Sequence, residues 1–267
     1  MFENLFIRSA VYGGGIYLLL NLYALLISDR LLFQPQPPGY LHLPHEVRIP
    51  TTDGETLNAV YLQNPEAEFT LLFSHGNGED LSGVLPFFQQ FHARGFSVLM
   101  YDYRGYGTSE GSPSYRKIKD DASAVYRWLT NDQQVPPEKI IAQGRSLGGA
   151  VATWLAAHHT VGGLILECSF LSAFRVKTQI PLLPWDKFNN EKFIQQVDCP
   201  VLVIHGKDDP VIPFWHGQKL YEVASEPKEY LWIDGARHMD YAYVAEERYF
   251  DKIAEFTDNI SSDQHTK

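Results

Sequence analysis

Ser146 could serve as a nucleophile if an imidazole takes its proton and a carboxylate orients that imidazole. It stands in Gly144-Arg145-Ser146-Leu147-Gly148-Gly149, after the apolar run Ile140-Ile141-Ala142-Gln143 and before Ala150-Val151-Ala152-Thr153-Trp154-Leu155-Ala156-Ala157. A strand that turns into a helix at a serine lifts the hydroxyl clear of the backbone. It also sets that hydroxyl at the positive end of the helix dipole, where developing negative charge is favoured. Glycines two before and two after Ser146 allow strand and helix to approach closely. A bare G-x-S-x-G is expected by chance about 0.1 times in a chain of this size. Its weight comes from the flanking strand and helix and from partners downstream. Pro200-Val201-Leu202-Val203-Ile204 reads as a buried strand running into His205-Gly206-Lys207-Asp208-Asp209-Pro210. Glu229-Tyr230-Leu231-Trp232-Ile233 reads as another, followed by Asp234-Gly235-Ala236-Arg237-His238-Met239.

The chain has ten histidines. His75 and His205 precede glycines at strand ends, where an imidazole supports a loop. His158 and His159 close a helix and point in different directions, which is a poor metal pair. His42, His45, His92 and His216 lie away from any acid or nucleophile signal, and His265 is in a polar tail. His238 alone follows the last strand in a glycine-containing loop, and it is the expected base. The adjacent Asp208 and Asp209 point apart, so one of them is the expected acid; Glu167 and Asp102, also at strand ends, are weaker candidates. A hydrolytic site also needs two backbone N–H groups for the substrate oxygen. Leu147, next after the nucleophile, is one. The other is expected in Ser74-His75-Gly76-Asn77-Gly78-Glu79, from Asn77 or, as the alternative, Gly76.

Four stretches carry a family resemblance: Ser74-His75-Gly76-Asn77-Gly78, Tyr101-Asp102-Tyr103-Arg104-Gly105-Tyr106-Gly107-Thr108-Ser109-Glu110-Gly111, Gly144-Arg145-Ser146-Leu147-Gly148-Gly149 and His205-Gly206-Lys207-Asp208-Asp209. From about residue 45 to 257 the chain resembles the α/β-hydrolase superfamily, above all its small membrane-anchored α/β-hydrolase-domain proteins, some of which act as acyl-protein thioesterases or lipases. The resemblance implies Asp209 as the acid, because H-G-x-x-D followed by Val-x-Pro is similar to the acid loop of many members. It implies a structural role for Asp102 and Arg104, which knit the loop after the fourth strand. It makes the stretch from Ser169 to Asp198 a lid, too short to cover the site from bulky or surface-presented substrates. Arg237-His238-Met239-Asp240 departs from the Gly-His pair common in relatives.

These groups need a frame. Short apolar or alternating runs at 46–49, 56–61, 69–74, 97–101, 140–143, 163–168, 200–204 and 229–233 read as strands. Amphipathic patterns at 83–93, 115–128, 147–158, 215–223 and 241–257 read as helices between them. Alternation of the two predicts an α/β fold, a mostly parallel eight-stranded sheet with helices on both faces. The first two strands lack a helix between them and should pair antiparallel. Length and 45% apolar content suit one domain, 41–259, with 1–40 outside it and 260–267 a polar tail.

Residues 10–27 are uncharged and mostly apolar. As a helix they extend ~27 Å, near the thickness of a bilayer core. A signal peptide would have a shorter apolar region ending in small residues before the cut. Cuts after Ala24 or Ser28 put leucine at the third position before the break, so an uncleaved single-pass anchor is the expectation, with no part in the triad. Residues 29–40, with Pro35, Pro37 and Pro38, read as a stiff connector. Arg8 and Arg30 flank the run symmetrically and leave the orientation open. Cys168 and Cys199 are expected at opposite strand ends, too far apart for a disulfide. The net charge of −10 excludes nucleic acid as a partner and electrostatic attraction to anionic lipid. No clustered metal ligands and no phosphate loop suggest a cofactor. The expected activity is a serine hydrolase cleaving ester or thioester bonds of an acyl substrate, a lipid or an acylated protein, through an acyl-enzyme. A proline iminopeptidase-like peptidase is the alternative, for which Asp186 and Glu191 are the acidic groups available to hold an amine. A scaffold that kept the fold without the chemistry is the third reading.

Overall fold

The computed structural model describes residues 2–264 apart from 179 and 181; His265 lies outside them. Eight strands form one sheet in the order β1-β2-β4-β3-β5-β6-β7-β8. They are β1 (Glu46–Pro50), β2 (Thr56–Leu62), β3 (Thr70–Ser74), β4 (Ser97–Tyr101), β5 (Ile140–Arg145), β6 (Gly163–Glu167), β7 (Val201–Gly206) and β8 (Lys228–Ile233). β1 pairs antiparallel with β2, and β2 with β4; every pairing from β4 through β8 is parallel. The continuous apolar runs are explained by burial: β3, β4 and β6 are covered on both faces along their whole length, as parallel strands under two helical layers must be.

Described after the sheet, the helices are α1 (Phe2–Leu32), α2 (Leu81–Ala93), α3 (Lys117–Arg127), α4 (Leu147–His158), α5 (Arg175–Thr178), α6 (Asn190–Phe193), α7 (Trp215–Val223), α8 (Tyr241–Ala245) and α9 (Glu247–Gln264). α4 is small-residue rich and mostly buried, which lets it lie against β5 and β6 at the centre. α2 begins at Asp80, whose carboxylate accepts the Ser82 amide at 2.9 Å as an N-cap. Among its described residues, the lid stretch holds the one-turn helices α5 and α6 and a single 3-10 turn. Cys168 follows β6 and Cys199 precedes β7, and both are free thiols.

Three expectations are corrected. The helix expected over 241–257 is broken at Glu246, whose φ of 53° interrupts the hydrogen-bond ladder between α8 and α9. The supposed tail from 260 belongs to α9, and Ile260 is buried in the core because its stripe continues the helix. The segment 29–40, expected as a stiff connector, is instead partly helix and partly packed into the body. α1 runs on to Leu32, and Phe33 and Tyr40 are buried in the body. Phe33 packs edge-on against Phe188 with ring centres 6.3 Å apart. Asp29 accepts the Tyr115 amide at 3.0 Å and pairs with Lys187 Nζ at 2.6 Å.

Candidate active site

β5 delivers Ser146 at its carboxyl end, and α4 begins at the next residue. Ser146 takes φ 55° and ψ −115°, a left-handed conformation that costs an L-residue free energy. The turn closes because its neighbours lack side chains. A Cβ on Gly144 would sit 2.1 Å from the Gly148 carbonyl oxygen, and one on Gly148 would sit 1.9 Å from that of Ser74. The Ser146 amide donates to the Glu167 carbonyl at 2.8 Å, tying the elbow to β6.

β7 and β8 bring the partners to the same end of the sheet. His238 Nε2 lies 3.1 Å from Ser146 Oγ, and its Nδ1 lies 2.7 Å from Asp209 Oδ2. Asp209 Oδ1 accepts the amides of Val211 at 2.8 Å and Ile212 at 2.9 Å, which fixes the carboxylate. Burial pushes the Asp209 carboxyl up, but hydrogen bonds from His205, His238 and the Ile212 amide outweigh it and hold the group well below the usual carboxylate range. It is therefore an anion, and an imidazole that donates to it from Nδ1 leaves Nε2 to accept from the serine. Asp208 is exposed and points elsewhere, its amide on the Ala236 carbonyl at 3.0 Å. His205 Nε2 donates to the Ile212 carbonyl at 2.9 Å and lies 3.5 Å from Asp209 Oδ2, buttressing the acid loop.

Leu147 and Asn77 both border the cavity beside Ser146. The Gly76 amide, the alternative donor, is taken by Glu79 Oε2 at 2.7 Å. Glu79 also binds the guanidinium of Arg145, so the loop after β3 is latched to the residue before Ser146. Asn77 Oδ1 accepts from Tyr106 Oη at 2.7 Å and from the Gln34 amide at 3.0 Å, which pins this loop from the other side. Sequence pattern assigns no role to Glu79, Tyr106 or Gln34; the charge pairing of Glu79 with Arg145 across 66 positions leaves no local signal.

The remaining candidates have structural partners. Asp102 accepts Tyr40 Oη at 2.5 Å and the Leu81 amide at 3.0 Å. Arg104 is buried between Asp121 and Asp53, at 2.5 Å and 2.7 Å. Glu167 is buried on Gln143 Nε2 at 2.6 Å, Tyr241 Oη at 2.6 Å and Tyr249 Oη. His75 Nδ1 meets its neighbour's carbonyl, that of Gly76, at 2.8 Å. Cys168, His205 and Asp209 offer ligand atoms within 4.8 Å of one another, but His205 Nε2 and Asp209 are spent on Ile212 and His238.

A cavity of about 950 Å³ opens above Ser146. Its walls are the lid, including Ile180, Leu182 and Trp185, and one side of α1. Among the lid acids, Glu191 pairs with Arg175 at 2.9 Å, and Asp186 Oδ1 accepts the amides of Phe174 at 3.0 Å and Lys187 at 2.7 Å.

Comparison with known proteins agrees with this architecture. Residues 65–190 match the family described as serine aminopeptidase, S33. Alpha/beta hydrolase domain-containing protein 17B of Homo sapiens is 34% identical over 77% of this chain and 72% of its own length. Alpha/beta hydrolase domain-containing protein aho-3 of Caenorhabditis elegans is 38% identical over 74% of this chain, which spans 60% of that protein. The Pyrococcus furiosus esterase Pf2001 superposes with a TM-score of 0.73 at 19% identity, over 85% of this chain and 98% of that one, a likeness of fold. With 34% identity over 72% of the human relative's length, this order of strands and a serine at the β5–α4 elbow, the chain belongs to the α/β-hydrolase family.

Proposed function

We propose that the protein is a serine hydrolase that cleaves ester or thioester bonds of acyl substrates through an acyl-enzyme. The observation carrying this reading is the hydrogen-bonded line from Ser146 through His238 to Asp209, at 3.1 Å and 2.7 Å, at the floor of a largely apolar cavity. In the first half-reaction Ser146 Oγ bonds to the acyl carbon as its proton passes to His238 Nε2. The oxygen of the tetrahedral intermediate is held by the amides of Leu147 and Asn77. The bond to the leaving alcohol or thiol then breaks, and His238 gives that group the proton. In the second half, water attacks the acyl-serine, its proton goes to His238, and the acid departs as Ser146 Oγ takes the proton back. Asp209 remains an anion throughout and stabilises the imidazolium. No step calls for a metal or organic cofactor.

The peptidase alternative loses support from the lid acids. Holding a substrate amine requires a carboxylate with a free face, and Glu191 and Asp186 are both committed within the lid. α1 supports the membrane part of the reading: Arg8–Leu32 is long and apolar enough to cross a bilayer. The test is a fluorophosphonate probe with turnover of p-nitrophenyl butyrate. The wild-type protein labels at Ser146, and Ser146→Ala loses labelling and at least about 10³-fold in kcat while staying folded. Turnover by Ser146→Ala within about tenfold of wild type moves the chemistry to another residue.

A further inference from the structure

α1 is apolar around its circumference, yet its two sides meet different surroundings. Leu20, Tyr23, Ala24, Ile27, Ser28 and Leu31 border the cavity that contains Ser146. Their spacing of three, one, three, one and three residues is a single helical stripe. On the opposite side Leu26 is 73% exposed, whereas within the stripe Ala24 and Ile27 are half-buried and Ser28 is buried. An anchor alone would have no reason to present a stripe to the site.

Resting on the hydrolase reading above, we propose that the last turns of α1 are the acyl-chain wall of the active site and set the acyl length it accepts. The occupant is a linear hydrocarbon chain whose carbonyl carbon lies at Ser146. Four observations carry this. Ser146 and Leu147 border the same cavity as the α1 stripe, so a chain bound along the helix has its carbonyl end at the nucleophile. The facing lid wall presents Val176, Ile180, Leu182 and Trp185, which are hydrocarbon or aromatic. Of the charged residues in that wall, Arg175 and Glu191 pair at 2.9 Å, Asp186 accepts the Phe174 and Lys187 amides, and Lys177 is exposed. The helix is held in place rather than tethered: Asp29 is bound by Lys187 and Tyr115, Phe33 is buried, Gln34 donates to Asn77, and Tyr17 Oη donates to the Leu182 carbonyl at 3.1 Å.

A fixed wall gives chain-length selectivity because each methylene buried against it adds a roughly fourfold preference. Ala24 is the smallest stripe residue between Leu20 and Ile27, so a bulky side chain there fills the volume the chain would use.

The experiment uses the full-length protein in detergent and compares kcat/KM for p-nitrophenyl dodecanoate and p-nitrophenyl acetate. In Ala24→Trp and Ile27→Trp the dodecanoate-to-acetate ratio falls by at least about tenfold, the loss of two or more buried methylenes. In Leu26→Trp, on the outward side, the ratio stays within about twofold of wild type, since nothing buried there changes. Fluorophosphonate labelling of each variant shows that the nucleophile is intact. Unchanged ratios in the two cavity variants, an equal fall on both substrates, or the same fall in Leu26→Trp overturns the proposal while leaving the hydrolase reading standing. Absence of labelling in wild type overturns the hydrolase reading itself, and this one with it.

Discussion

At the scale of residues, the proposed nucleophile Ser146 stands in a strained turn. Its positive φ is imposed by the strand–helix elbow, and an L-residue in that region carries a strain of order 1–3 kcal/mol. Glycine adopts the same backbone without the penalty. Ser146→Gly is therefore expected to unfold at a higher temperature than wild type, by a few degrees, while losing all fluorophosphonate labelling. Differential scanning calorimetry on both proteins checks this, and a lower melting temperature for the glycine variant would mean the elbow stores no strain. Ser146, His238 and the acid loop stood out in the sequence because each ends a strand, so local pattern locates them. The adjacent pair Asp208 and Asp209 needed family likeness to separate, and three-dimensional hydrogen bonds to Val211 and Ile212 supply the physical reason. Gln34 could not be found that way: its contact with Asn77 spans 43 positions and uses a backbone amide, which no side-chain pattern encodes.

At the scale of elements, α7 and the base of the lid share a buried imidazole. His216 accepts the Leu171 amide through Nδ1 at 3.3 Å and stacks on Trp215 with ring centres 3.8 Å apart. Burial, then the charges of His205 and Arg175, lower its pKa from 6.5 to about 4. A protonated ring could not accept from Leu171. As pH falls below 6.5 the unfolded chain takes up this proton and the folded one does not, so stability falls from there toward pH 4, with no contribution above 6.5. Between about pH 7 and pH 5 the wild type should lose about 2 kcal/mol more than His216→Gln. Urea titrations at both pH values measure it, and parallel losses would show the ring is not held neutral by the fold. The alternation of strands and helices was legible because two periodicities, 2 and 3.6, were distinct in sequence. The break at Glu246 and the docking of α1 were not. A helix apolar all round has no moment to say which side meets protein and which meets lipid, and one backbone angle leaves no periodic trace.

At the scale of the whole molecule, a body of net charge −10 is joined to an apolar helix. Outside α1, the described large apolar residues left exposed include Ile180 and Leu182 on the lid, Val211 two positions past Asp209, and Met239 beside His238. An acidic protein gains nothing electrostatically from an anionic surface, so attachment to a membrane through α1 should be indifferent to salt and alkali. The full-length chain is expected to stay in the membrane pellet after a carbonate wash, with its N-terminal residues present in the intact mass. Release by carbonate, or a mature chain beginning near Asp29, would rule out α1 as a span.

One thiol gives the fold a clock. Cys168 is fully enclosed, and burial pushes its thiol well above the ordinary range. Only thiolates alkylate at useful rates, so this sulfur should not react while the sheet is closed. Cys168 stands just past the end of β6, which pairs with β7, the sixth and seventh of the eight strands in sheet order. Its alkylation can then begin only when that side of the sheet parts, and the rate of iodoacetamide uptake in native buffer reads how often it does so. Cys199, just before β7, is only half-buried and serves as the internal comparison. Cys168 should be modified later than Cys199, slowly in buffer and at a rate that rises with urea in step with global unfolding. Quick modification of Cys168 in buffer would mean that this side of the sheet breathes independently of the rest.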